Sequence, residues 1–160
     1  MEKFQEAKEK AIKHIQAADH ILTQTYPHIK DPKLLVAVLD NVHLGINETM
    51  SAILHYLRFQ KKIGAFHDSF ATKLDLLLTM LGSEKLKKEQ IIEIKTIHEI
   101  IEHHKQSAVE FSRKDSFVIS SENYDLKVIS ADTLKKYVKE AKSLINLMEE
   151  VMSENVRILE

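Results

Sequence analysis

The chain has 160 residues, no cysteine, nine histidines and 23 basic against 24 acidic side chains. That balance gives no global pull toward nucleic acid or an anionic membrane, and the missing cysteines exclude disulfides, thiolate nucleophiles and cysteine-based zinc sites. With three glycines and two prolines spread over long segments, the composition points to an all-α protein with one core, a single domain over residues 1–160.

The first helix is predicted from Glu2 to Thr25. Phe4, Ala7, Ala11, His14, Ala18 and Ile21 recur at heptad-like spacing, and the alanines let another helix approach closely. Pro27 should stop it near Tyr26. Asp31-Pro32 is then a start signal, Asp as N-cap and Pro at the first helical position.

The central helix follows, Leu34 to Gln60. Leu35, Val38, Leu39, Val42, Ile46, Thr49, Ile53, Tyr56 and Leu57 share one broad face. Asp40, His43, Asn47, Ser51 and Arg58 align on the other, with Glu48 and His55 beside them. The stretch contains no lysine, and its only full charges are Asp40, Glu48 and Arg58. A solvated face would carry Lys and Glu, so this helix should be covered on most sides, by its own bundle or by a second copy. Gly64 is the expected closing residue.

A shorter third helix fits Asp68 to Leu81, ended by Gly82, with Ser83 capping the fourth. The fourth has a heptad of Ile94, Ile97, Ile101, His104, Ala108 and Phe111, with His98 paired to Glu102 on its outer face. From Ser116 to Ile129 the period changes. Phe117 and Ile119 share one parity, Tyr124, Leu126 and Val128 another, and Ser-Ser-Glu-Asn lies between them as a turn. Ser130 then caps a last helix from Ala131 to Val156. The predicted fold is a five-helix antiparallel bundle with a short β-hairpin before the last helix.

The histidines invite a metal hypothesis, because Asp40 and His43 stand at i, i+3 and His14 and His104 occupy other seams. A di-iron bundle needs Glu-x-x-His from two helices, and that spacing does not occur; nor does His-Glu-x-x-His. No metal and no cofactor are expected. There is no Gly-rich phosphate loop and no Gly-x-Ser-x-Gly elbow. No apolar run reaches the roughly 18–20 residues that span a bilayer. The amphipathic start MEKFQEAKEKAIKH does not read as a signal peptide. A cytoplasmic protein without membrane contact is the expectation.

The long antiparallel helices with an extra element before the last one, together with TYPHIKDPKLL (Thr25 to Leu35) and EFSRKDSFVISSENY (Glu110 to Tyr124), resemble the HEPN superfamily, near uncharacterised archaeal members. The resemblance implies a HEPN-like fold, dimerisation, and binding of a nucleotide, RNA or a partner protein. Many members are metal-independent ribonucleases with an Arg-x(4–6)-His motif. Here Arg58 and His67 have eight residues between them, and Arg113 has no histidine after it. A non-catalytic homodimeric binding module is therefore the first expectation. An atypical ribonuclease using Arg58, His55 and His67 is the alternative, and a metal-binding bundle the second. Few polar partners for the central helix are legible elsewhere: His14, Thr25, Gln90 and His104. That shortage places Asp40, His43, Asn47, Glu48, Ser51 and Arg58 at a two-fold interface or binding face.

Overall fold

The computed structural model describes the backbone of residues 1–106, 110–113, 116–120 and 126–159, and the side chains of 1–105, 116–119 and 127–153. Its helices are α1 (Lys3–His20), α2 (Tyr26–Ile29), α3 (Pro32–Phe59), α4 (Phe70–Lys85), α5 (Lys88–Gln106) and α6 (Ala131–Leu159), with α2 a single turn continuing α1. The bundle is all-α apart from one small sheet before the last helix. Among the described residues no helix is long and apolar enough to cross a membrane.

α3 is the axis. Leu35, Val38, Leu39, Val42, Met50, Ala52, Ile53 and Leu54 are fully buried, so it is enclosed well beyond one amphipathic stripe. α1 lies along it at short range because small residues face each other. Ala7, Ala11 and Ala18 are buried on α1, and a Cβ at Gly45 of α3 would overlap the buried Ile15 side chain. The Asp31 carboxylate caps α3 by accepting from the Lys33 N–H at 3.0 Å, with Pro32 at the first helical position.

Several predicted boundaries are corrected. Pro27 does not end the first helical run. The chain widens into a π-helical stretch over Ile21–Thr25, and Pro27 enters at the start of α2, where an N–H is not required. The stop comes at Lys30, whose φ is 54°. Gly64 does not close α3. Lys61 does, at φ 62°, with Lys62 N–H donating to the Leu57 carbonyl and Lys61 N–H to that of Arg58, a Schellman arrangement.

Gly82, at φ 75°, does break α4, but Ser83 does not start the next helix. Leu86 is buried whole between the two, and α5 begins at Lys88, with the Gln90 side chain accepting from the Lys87 N–H. The fourth helix does not reach Phe111, which lies on a strand.

The predicted hairpin is present as β2 (Ser116–Ser120) against β3 (Leu126–Ser130), with Phe117 opposite Ile129. A third strand, β1 (Glu110–Arg113), pairs antiparallel with β2, so the sheet has order β1-β2-β3. Phe117, Ile119 and Ile129 enter the core while Val128 is exposed, so β3 buries the parity opposite to the predicted one. Ser120, the first residue of the proposed Ser-Ser-Glu-Asn turn, ends β2, and the other three lie outside the described residues, as does Ala108.

Candidate functional site

The polar side of α3 meets polar residues from three other helices. Near its first half, His14 Nδ1 of α1 stands 3.1 Å from Asn41 Oδ1. Two residues on, His43 Nε2 lies 3.0 Å from His98 Nδ1 of α5, so one ring donates to the other. Phe70 of α4 stacks on His98 with centroids 4.0 Å apart and planes 3° from parallel, and His43 stacks alongside at 5.3 Å. Burial, then the charge of His98, pushes the His43 pKa down to about 4. Burial also lowers that of His98. The stack holds neutral rings at neutral pH. His98 is thus half-buried against α3 and Phe70, while Glu102, its expected partner, still acts on it.

Further along α3, Ser51 receives a hydrogen bond from Lys73 of α4, Nζ to Oγ 2.9 Å. Lys73 is only 1% exposed, which is rare for this residue type. Its Nζ is also 2.7 Å from Asp68 Oδ1, in the segment that joins α3 to α4. That hydrogen bond holds the Asp68 carboxyl below its ordinary value. Two of the three ammonium donors are thereby used, and the lysine lines a cavity.

That cavity, of about 280 Å³, runs between α1 and α3, where Asn47, Glu48, Ser51 and His55 meet Lys10 and Lys73. A second, of about 310 Å³, is lined by Glu2, Lys3, Phe4, His55, Arg58 and Phe59. Lys3 and His55 line both, so the two lie side by side, together the groove below. Phe59 is 57% exposed at its end, with its ring centroid 5.3 Å from Phe4. The ring of Phe66 sits 5.0 Å from His55. Burial, then Lys3 and Arg58, lowers the His55 pKa, leaving a neutral imidazole able to donate and accept. Four basic side chains, Lys3, Lys10, Arg58 and Lys73, face four acidic ones, Glu2, Glu6, Glu48 and Asp68.

The sequence-predicted residues therefore divide. Asn47, Glu48, Ser51, His55 and Arg58 gather along the groove. His43 is committed to the histidine stack, Asp40 lies half-buried a turn earlier on α3, and His67 is exposed outside both cavities. Lys73, Asp68, His98 and the two N-terminal lysines were not among the predicted site residues. Lys73 had a signal, since it stands three residues after Phe70 and four before Leu77, on the apolar stripe of α4.

The cations, the Ser51 hydroxyl and the exposed Phe59 ring can recognise a ligand. Ser51 sits mid-helix, where backbone N–H groups are consumed by the helix and offer no oxyanion hole. Lys73, committed to an ion pair with Asp68, is not placed to take a proton from Ser51. Among the described residues no group of three His, Asp or Glu stands together as a metal site requires. Compared with known proteins, the chain matches no family model, no curated protein and no solved structure.

Proposed function

We propose that the chain is a non-catalytic, HEPN-like binding module that works as a cytoplasmic homodimer and takes a nucleotide in the groove between α1 and α3. The observation that carries this reading is the adjacency of two unlike cavities that share Lys3 and His55. One end offers the exposed Phe59 ring and the Arg58 guanidinium, a surface on which a base stacks. The other offers Lys73 and Ser51 for a phosphate.

Of the ligand classes the resemblance implies, RNA suits the groove less. A polyanion needs a net basic track, and here acidic side chains match the basic ones in number. A small ligand with one anionic group needs a single good cation, and Lys73 is one. The homodimer reading draws on the α3 stripe that runs past the groove, where Leu44 and Phe59 remain exposed near its two ends. A metal-independent ribonuclease is the second reading, favoured by Arg58 and His55 lining one cavity.

The test is an amide chemical-shift titration with AMP and, separately, a short single-stranded oligoribonucleotide. The expected result is AMP-induced shifts confined to residues 3–10, Asn47 to Phe59 and Lys73. Shifts with the oligonucleotide alone, or its cleavage without added metal, would replace this reading by the ribonuclease. No response to either would remove the nucleotide.

A further inference from the structure

Lys73 and Asp68 are unequal partners. The lysine side chain is 2% exposed and the aspartate 85%. A buried ammonium cannot be left without a counter-ion, whereas a solvated carboxylate gives up such a contact at little cost. Asp68 belongs to the segment between α3 and α4, which has neither helix nor strand from Lys61 to Ser69. Hydrogen bonds at Lys61, Lys62 and Ser69 anchor its two ends to the helices, and side chains between them reach the groove. Phe66 rests on the His55 ring, Ile63 is partly buried, and Asp68 reaches Lys73.

We propose that Asp68 is an exchangeable counter-ion, holding the 61–69 segment against the groove until the phosphate of an incoming nucleotide takes its place on Lys73. The proposal rests on the groove being a nucleotide seat and adds how that seat is regulated. Ser51 keeps its hydrogen bond to Nζ whichever anion is present, so the ammonium stays oriented through the exchange. Asp68 is a carboxylate throughout the neutral range, and hence competitive there.

The cavity charges agree. Lys3, Lys10 and Lys73 are matched there by Glu6, Glu48 and Asp68. Movement of Asp68 outward leaves a positive surplus that one anionic group neutralises. A neutral nucleoside cannot drive this exchange, because it would leave the buried ammonium without a counter-ion.

The experiment compares the wild-type chain with Asp68→Asn, which keeps the shape and an acceptor oxygen but loses the charge. AMP affinity is measured by calorimetry, and amide hydrogen exchange is followed at residues 61–69 with and without AMP. The variant should bind AMP about tenfold more tightly, within the usual range of coupling between linked events. AMP should speed exchange at 61–69 in the wild type and leave it unchanged in the variant. Equal or weaker AMP binding by Asp68→Asn, with 61–69 indifferent to ligand, would overturn the proposal. If AMP binds neither protein, the nucleotide reading fails, and ligand-free exchange alone decides the counter-ion's role. Faster exchange at 61–69 in Asp68→Asn then upholds it as the clasp of that segment, and equal exchange rejects it.

Discussion

Lys73 of α4 and His98 of α5 complete the polar side of α3, and both lie on stripes otherwise occupied by apolar residues. His98 follows Ile94 by four residues and precedes Ile101 by three. Their positions were legible in the helical period; the burial of Lys73 and the half-burial of His98 were not. A stripe lysine ordinarily bends its ammonium out to water. What keeps Lys73 inside is Ser51 and Asp68, both outside its helix. The shortage of partners inferred for α3 came from counting only four polar residues on other helices, and these two were not among them.

The histidine stack carries a pH prediction. In the unfolded chain His43 titrates near 6.5, and in the fold near 4. Between those values the unfolded state binds more protons, so the stack's stability is complete above about pH 6.5 and is lost as pH falls toward 4. Beside it, His98, Lys105 and Lys73 oppose the imidazolium and Glu102 favours it. His43 is partly open to water, so the full shift is not realised, and the loss should be about 1–3 kcal/mol. Urea midpoints of wild type and His43→Gln at pH 7.5 and 4.5 measure it. The wild type should lose more stability on acidification than the variant. Equal losses would mean that the stack does not hold a neutral pair.

At the scale of elements, helix identity was plain from apolar spacing, while boundaries depended on the backbone at single residues. Pro27 was expected to stop a helix, and a π-helical stretch accommodates it instead. Gly64 was expected to close α3, and Lys61 adopts the left-handed conformation although it has a side chain. Lys61→Gly removes that strain, partly offset by the greater freedom of glycine in the unfolded chain. A gain of about 0.5 kcal/mol in denaturant unfolding is expected; a loss would mean that the lysine side chain has a role of its own at the helix end.

Gly45 has the opposite sign. Alanine there is a better helix former by about 1 kcal/mol, but its methyl would collide with Ile15 at the α1–α3 crossing, and overpacking costs about 1–3 kcal/mol. Gly45→Ala should be destabilised by about 1 kcal/mol, and Ile15→Val in the same chain should recover part of that. Gly45→Ala at or above wild-type stability would show that Ile15 has room to move. The third strand escaped the sequence because the α5 heptad continues in register through Phe111. Periodicity alone does not reveal where a chain leaves a helix to pair with a neighbouring strand.

For the whole molecule, the all-α architecture followed from composition and spacing, and α3 is the covered central helix its missing lysines implied. Much of that cover comes from its own chain: α1 through small residues, α4 through Lys73, α5 through His98 and α6 through apolar side chains such as Leu144 and Met148. What remains for a second copy is the C-terminal half of α3, with Glu48, Arg58 and Phe59, where it would border the groove. Sedimentation equilibrium of wild type and Arg58→Glu at micromolar concentration separates the outcomes. A wild-type dimer weakened by the substitution is expected, whereas a monomer in both confines this surface to ligand binding.

The groove's dependence on Lys73 is tested most directly by AMP affinity in wild type and Lys73→Met, measured by calorimetry at neutral pH and low salt, with unfolding midpoints taken on the same samples. Methionine keeps the length of the side chain and removes the donors. The account predicts AMP binding weakened by about tenfold or more in a variant that stays folded, since a hydrogen bond to a charged group is worth about 1.5–3 kcal/mol. Equal affinities in two folded proteins would contradict it.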